Sequence, residues 1–93
     1  MDKVTLEGYI IVPDSDLDRV QAELPNHIAL TRRESGCLVF NVNQDQDNKN
    51  RFNVYEEFKD RESFDNHEVR AADSKWATIT KNVQRFYEIT GGD

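Results

Sequence analysis

Two side chains in this sequence are suited to moving a proton near neutral pH, the histidines His27 and His67, because imidazole titrates in that range. Each lies on a helix-like stretch. A fold that lays both helices on one face of a sheet would bring them to one pocket. The structural alternative is a surface His27 and a half-buried, hydrogen-bonded His67. Tyr55 and Glu56 stand mid-strand beside that pocket. Neighbouring strand residues point to opposite faces, so at most one of the two enters it. Otherwise Tyr55 reads as a core or interface aromatic with a satisfied hydroxyl, and Glu56 as half of a buried ion pair with Arg85 or an arginine of the first helix. Trp76 reads either as a core or lid aromatic or as a platform for a substrate ring, and Asn53 and Tyr87 are candidates of the same kind. Cys37, the single cysteine, is a nucleophile only with a base beside it, and a small thiol is more often part of a core. The histidines have no metal-type spacing, so no metal is expected. No phosphate-cradling glycine loop, HExxH motif or nucleophile elbow is present.

Composition bounds what these residues can serve. The chain has 93 residues, enough for one domain spanning 1–93. Its net charge is −6, which argues against a nucleic-acid partner that needs a basic face and against an anionic membrane surface. No apolar run is long enough to span a bilayer. The start lacks the basic and apolar regions of a secretory signal. One cysteine excludes an internal disulfide, so a cytoplasmic setting is expected. A small acidic chain with 37% hydrophobic residues has a limited core, and oligomerisation is a common way to bury more apolar surface.

The elements that must position the site follow from periodicity. Residues 3–12 alternate, with Val4, Leu6, Gly8, Ile10 and Val12 on one face, and Pro13 ends that strand. Asp14 or Ser15 can cap a helix whose stripe is Leu17, Val20, Leu24, Ile28 and Thr31. Pro25 predicts a kink or two helical pieces, and Gly36 the left-handed residue after the helix. Residues 37–43 and 51–59 read as strands joined by a polar hairpin loop. Asp60 caps a second helix carrying Phe64, His67 and Ala71 on one face. A short helix around Ser74–Lys81 carries Trp76. Residues 82–90 alternate as the last strand, and 91–93 read as a frayed end. The order is βαββαβ, an α+β, ferredoxin-like arrangement with an antiparallel sheet. Several strands carry apolar residues on both faces. A sheet wetted on one side would not, so the face without helices is expected to pack on a second copy of the chain.

Glu34-Ser35-Gly36-Cys37-Leu38-Val39-Phe40, then Arg51-Phe52-Asn53-Val54-Tyr55-Glu56-Glu57-Phe58-Lys59-Asp60, then Phe64 and His67, resemble the antibiotic biosynthesis monooxygenase domain family over residues 3–90. That pattern is an E-x-G-C/N-L-x-F/Y strand, an F-x-x-Y-E-x-[WFY]-x-D strand and helix start, and a helical histidine. The resemblance implies a homodimeric α/β barrel in which two sheets pack face to face. It also implies cofactor-free oxygenation of quinols, anthrones and similar small aromatics, with no flavin or metal. His67 would be the base or anion stabiliser, with Tyr55 and His27 as further catalytic candidates. Asn53, Glu56, Trp76, Tyr87 and Arg85 would hold the substrate. Asn26-His27 with Arg51-Phe52 and Tyr55-Glu56 also resembles the isomerase that processes the phosphorylated autoinducer-2 signal. That enzyme shuffles protons on a small phosphorylated dione. Many members carry a second histidine–aromatic pair about five residues past the helical histidine, where this chain has Ala71-Ala72-Asp73-Ser74. A third reading is a ligand-binding dimer without turnover.

Overall fold

A computed structural model describes residues 2–92. Strand β1 (Val4–Ile11) leads through one 3-10 turn (Asp14–Asp16) into helix α1 (Leu17–Arg32). Strands β2 (Cys37–Gln44) and β3 (Arg51–Phe58) form a hairpin. Helix α2 (Arg61–Ala72), the short α3 (Lys75–Ile79) and strand β4 (Gln84–Gly91) complete the order. The strands form one open antiparallel sheet in the order β2-β3-β1-β4. This is the expected α+β, ferredoxin-like βαββαβ arrangement.

The period-2 pattern of the strands decides which face is buried. Val4, Leu6 and Ile10 of β1, Phe52, Val54 and Phe58 of β3, and Phe40 and Val42 of β2 point one way and are buried. Val20 of α1 and Phe64 of α2 close over them. Leu17, Leu24 and Ile28 pack against the same cluster. Helix α1 runs in one piece through Pro25 rather than as two. Leu24 and Ile28, on either side of the proline, are both held on the core, and such tertiary packing outweighs the local cost of a missing N–H. The helix start also differs from expectation. Asp16 occupies the N-cap without a side-chain cap bond, and is instead buried and paired with Arg19. Asp60 caps α2 as expected, its Oδ1 accepting from the Ser63 N–H at 2.8 Å.

The last strand does not fray at Gly91. That residue and Gly92 take φ values of 85° and 80°, a region L side chains avoid. This keeps Gly91 paired with Val4 and lets the Gly92 N–H donate to the Lys3 carbonyl at 3.2 Å. Asp93 lies outside the described residues. Gly36 is not the left-handed residue the sequence suggests, since it is absent from the positive-φ residues. Its requirement is space. A Cβ there would lie 2.1 Å from Ser63 Oγ and 2.2 Å from Ser63 Cβ, so glycine lets the first turn of α2 rest against the start of β2.

The other sheet face carries Tyr9 stacked on Phe86, with ring centroids 4.9 Å apart. The Arg51 guanidinium covers Tyr9 at 3.8 Å. Tyr55 and Asn53 lie on this face too. No helix among the described residues is long and apolar enough to cross a membrane.

The Gly36–Ser63 contact generates a prediction. Gly36→Ala should lower stability by about 1–3 kcal/mol, the usual cost of overpacking. Adding Ser63→Gly should recover part of the loss. Urea melts of the two variants against the parent chain test this, and an additive pair would refute the contact.

Candidate active site

Helices α1 and α2 cover the sheet over β1, β2 and β3, while β4 stays exposed along its length. The gap between α2, α3 and β4 is a cavity of about 430 Å³. Its sheet side is formed by Leu6, Glu56, Arg85, Tyr87 and Ile89, and its helix side by His27, His67, Glu68, Trp76 and three alanines, Ala71, Ala72 and Ala77. Six of the eight residues singled out from sequence thus line one space: His27, His67, Glu56, Trp76, Arg85 and Tyr87.

The other two do not enter it. Tyr55 alternates with Glu56 along β3, and Glu56 takes the cavity side. The Tyr55 hydroxyl donates to Glu57 on the opposite face. Asn53 is engaged there as well, donating to Asp45 Oδ1 at 3.1 Å and accepting from Arg51 Nε at 2.7 Å. The structure therefore removes both from the pocket in which the sequence places them, because odd-numbered residues of β3 face away from the helices.

His67 is buried and held in one orientation. Its Nδ1 lies 2.9 Å from Glu34 Oε1. A carboxylate only accepts, so Nδ1 carries a proton toward Glu34. Glu34 Oε2 accepts from Arg70 Nε at 2.5 Å. Arg70 Nη2 donates to Thr31 Oγ1 at 2.9 Å, and that hydroxyl donates to the His27 carbonyl at 2.9 Å. One chain of hydrogen bonds thus runs from the imidazole of α2 to the backbone of α1.

His27 is buried rather than at the surface. Its ring stacks on Trp76 at 4.6 Å and 7° and meets the edge of Phe40 at 5.5 Å. The two imidazole centroids are 6.2 Å apart. Burial, then the charges of His67 and Arg70, pull the His27 pKa down to about 3, so this ring is neutral at ordinary pH. Among the described residues its Nδ1 has no hydrogen-bond partner.

Glu56 is 6% exposed, and among the described residues its Oε1 also has no partner. Burial, reinforced by Glu68 and Glu34, pushes it up to about 8, so it is a neutral acid at pH 7. The buried ion pair expected for it does not form. Arg85 turns to Thr80, with Nη2 at 3.0 Å from the hydroxyl, and Arg32 binds the Phe40 carbonyl at 2.9 Å. Tyr87 is 39% exposed as a residue, yet desolvation of its phenol, opposed by Arg85, still pushes it up to about 12. It too is a donor at neutral pH.

Sequence reasoning did not single out Glu34 or Glu68 for the site. Glu34 is 33 residues from His67 in sequence, so only the closed fold pairs them. Cys37 is half-buried beside the core. Burial, then Glu34 and Glu56, push its thiol up, as suits a core thiol. Among the described residues no three His, Cys, Asp or Glu side chains gather as a metal-binding group.

The comparisons with known proteins bear on the family and the fold. The family model described as antibiotic biosynthesis monooxygenase matches residues 4–77. Among solved structures, a Nitrosomonas europaea protein provisionally described as an antibiotic biosynthesis monooxygenase is 25% identical. It superposes with a TM-score of 0.81, with 97% of each chain covered. A Bacteroides thetaiotaomicron protein of unknown function, described as a possible oxidoreductase, is 16% identical with a TM-score of 0.81 and 96% of each chain covered. SnoaB from Streptomyces nogalater, a cofactor-independent oxygenase, is 14% identical with a TM-score of 0.74, covering 100% of this chain and 95% of its own. No curated protein matches the sequence.

The depressed His27 has a signature in acid. The folded ring holds no proton until about pH 3, whereas the unfolded one binds it below about 6.5. The stability linked to His27 is therefore present above pH 6.5 and is lost as pH falls toward 3. His27→Gln should flatten this part of the stability–pH curve, as read by urea midpoints from pH 7 to 4. A slope unchanged in the variant would refute the assignment.

Proposed function

The chain belongs to the antibiotic biosynthesis monooxygenase family, and on that premise we propose that it is a cofactor-independent monooxygenase acting on a small quinol- or anthrone-like aromatic with molecular oxygen. The observation that carries this reading is His67, buried at the wall of a mostly apolar cavity with Nδ1 held by Glu34. Such a base suits a substrate that becomes electron-rich once deprotonated. The likeness to SnoaB, a cofactor-independent oxygenase, supports the same reading.

The steps balance without a second reductant. His67 Nε2 takes a proton from an activated methylene of the ring system, and the imidazolium that forms is paired by Glu34. The resulting anion gives one electron to molecular oxygen, and the radical pair joins at that carbon as a peroxide. Loss of the second hydrogen with cleavage of the O–O bond leaves a carbonyl and one water. In net terms a ring methylene and one dioxygen become a ring carbonyl and one water, with one oxygen atom in each product. Tyr87 and Glu56 donate hydrogen bonds to the anion, while Trp76 and Arg85 hold the ring. The alanines Ala71, Ala72 and Ala77 leave it room.

A second reading is favoured by one distance. Two imidazoles with centroids 6.2 Å apart suit the proton transfers of an isomerase acting on a small phosphorylated dione. Against it, Glu56 and Glu68 line the cavity with Arg85 as its one guanidinium. The same cavity in a binding dimer would hold its ligand without turnover.

The proposal includes a homodimer through the open sheet face, where Tyr9 and Phe86 form an apolar patch and Tyr55 adds a ring. It takes the whole chain as one such domain, in a cytoplasmic setting that rests on the acidic charge and the single thiol.

Two measurements test this. Oxygen uptake with reduced naphthoquinols and anthrones, in EDTA, should exceed autoxidation and fall by about 10²–10⁴ in His67→Ala, the range for loss of a positioned base. Uptake equal in the variant would remove His67 from the mechanism, and turnover of a phosphorylated dione without air would favour the isomerase. Phe86→Lys should shift the sedimentation mass from dimer toward monomer, and a parent chain that sediments as a monomer would refute the interface.

A further inference from the structure

We propose that Glu56 is the specificity-determining residue of this cavity, donating a hydrogen bond from its carboxyl O–H to a carbonyl or hydroxyl oxygen of the ligand. The cavity then takes neutral, oxygen-bearing aromatics and rejects carboxylated or phosphorylated ones. The inference deepens the reading of this cavity as the active site and rests on it.

The position of Glu56 carries the argument. It sits in the helix-facing row of β3, two residues from Val54 and two from Phe58, in register with Leu6 and Phe40. Every other member of that row is a buried hydrophobic residue. A carboxyl group placed there costs stability unless something satisfies it. No arginine does so. Arg85 is bound to Thr80, Arg32 to the Phe40 carbonyl, and Arg70 to Glu34. Among the described residues Oε1 has no partner at all, although the group is more than nine-tenths buried. A buried carboxyl that no side chain satisfies, lining a cavity, is a group waiting for a ligand.

The surroundings fix which form of the group meets that ligand. From α2, His67 and Glu68 face it, and from α1, His27, whose ring is neutral. Glu34 approaches from the connection after α1, and Cys37 from β2. Arg85 and Tyr87 flank it on β4. The carboxylates Glu34 and Glu68 oppose its ionisation, and burial does so more strongly. At neutral pH it therefore presents an O–H, and the natural partner is an acceptor oxygen. An anionic ligand would meet the carboxylate of Glu68 across the same space, and would lose its own hydration on entering with Arg85, already hydrogen-bonded to Thr80, as the one guanidinium in the lining.

The chain reports on this directly, because Trp76 is its single tryptophan and lines the cavity. Its indole N–H gives one resonance to follow while 1-tetralone, a neutral ketone, or 1-naphthoate, an anion of similar shape, is added. At pH 6.5 tetralone should shift that resonance saturably, and naphthoate should bind at least about tenfold more weakly, the worth of one well-made buried hydrogen bond. At pH 9.5, above the ionisation of Glu56, tetralone should lose about tenfold in affinity. Glu56→Gln keeps an N–H donor at every pH, so it should bind tetralone at both values and remove the pH dependence that belongs to Glu56 rather than to His67. Glu56→Leu should lose the ketone at pH 6.5 with its circular dichroism unchanged. The assignment is overturned by no saturable shift with tetralone, by naphthoate binding as tightly, by equal affinity at the two pH values, or by Glu56→Leu binding like the parent chain. Oxygen uptake is measured apart from this. Its absence beside the full binding pattern would sink the oxygenase reading and leave Glu56 in place, while uptake without the pattern would do the reverse.

Discussion

The carboxylate of Glu34 ties the site together. One oxygen fixes the tautomer of His67 and the other holds Arg70, which reaches Thr31 and through it the backbone at His27. Glu34 lies between α1 and β2, while both of its partners lie on α2, so one residue sets how the second helix sits against the first. The close packing of Gly36 on Ser63 completes that junction. A histidine in a hydrophobic setting would otherwise turn to whichever orientation packs best. Charge-assisted hydrogen bonds of this kind are stronger and more directional than neutral ones, so the imidazole is oriented before any ligand arrives.

Three buried polar groups share the same region and are handled differently. His67 is satisfied by the carboxylate of Glu34. His27 gives up its charge, sandwiched between Trp76 and Phe40. Glu56 gives up its charge too, and keeps an unpartnered oxygen. Their effects on stability run in opposite directions with pH. His27 makes the fold less stable as acid is added below pH 6.5. Glu56 makes it less stable as pH rises from about 4.5 toward 8, where the unfolded carboxyl is ionised and the folded one still resists. Structural and chemical roles thus compete within one small core, which is how sites with a task usually depart from simple packing rules.

The order of elements was legible because hydrophobic periodicity is strong in β1, β3 and α1, and Pro13 and the Asp60 cap agree with it. The face on which each strand residue lies was legible too, and it placed Glu56 and Tyr55 on opposite sides without saying which side held the cavity. That choice depends on where the helices lie, and so Tyr55 and Asn53 went to the pocket in the sequence reading and to the open face in the structure. The ion pair expected for Glu56 was misread because nearness in the sheet does not fix where a guanidinium turns, and Thr80 captures Arg85 first. Glu34 could be found only as a letter in a strand-entry motif. The two-piece reading of Pro25 and the left-handed reading of Gly36 fail for a related reason: their local preferences are weak beside the contacts of Leu24, Ile28 and Ser63.

The sheet's two margins differ from its middle in a way that bears on solubility. Along β2 the pairing slips between Cys37 and Val39, so Leu38 stands out of register at the outer edge, half exposed. A bulge there breaks the row of evenly spaced donors and acceptors that another strand would need. At the opposite margin β4 ends in two left-handed glycines, which turn the backbone out of the extended path. Each device acts at one end of its strand. Pairing with a foreign strand is thereby discouraged at the start of β2 and beyond the end of β4, on a sheet whose broad face remains open to contact.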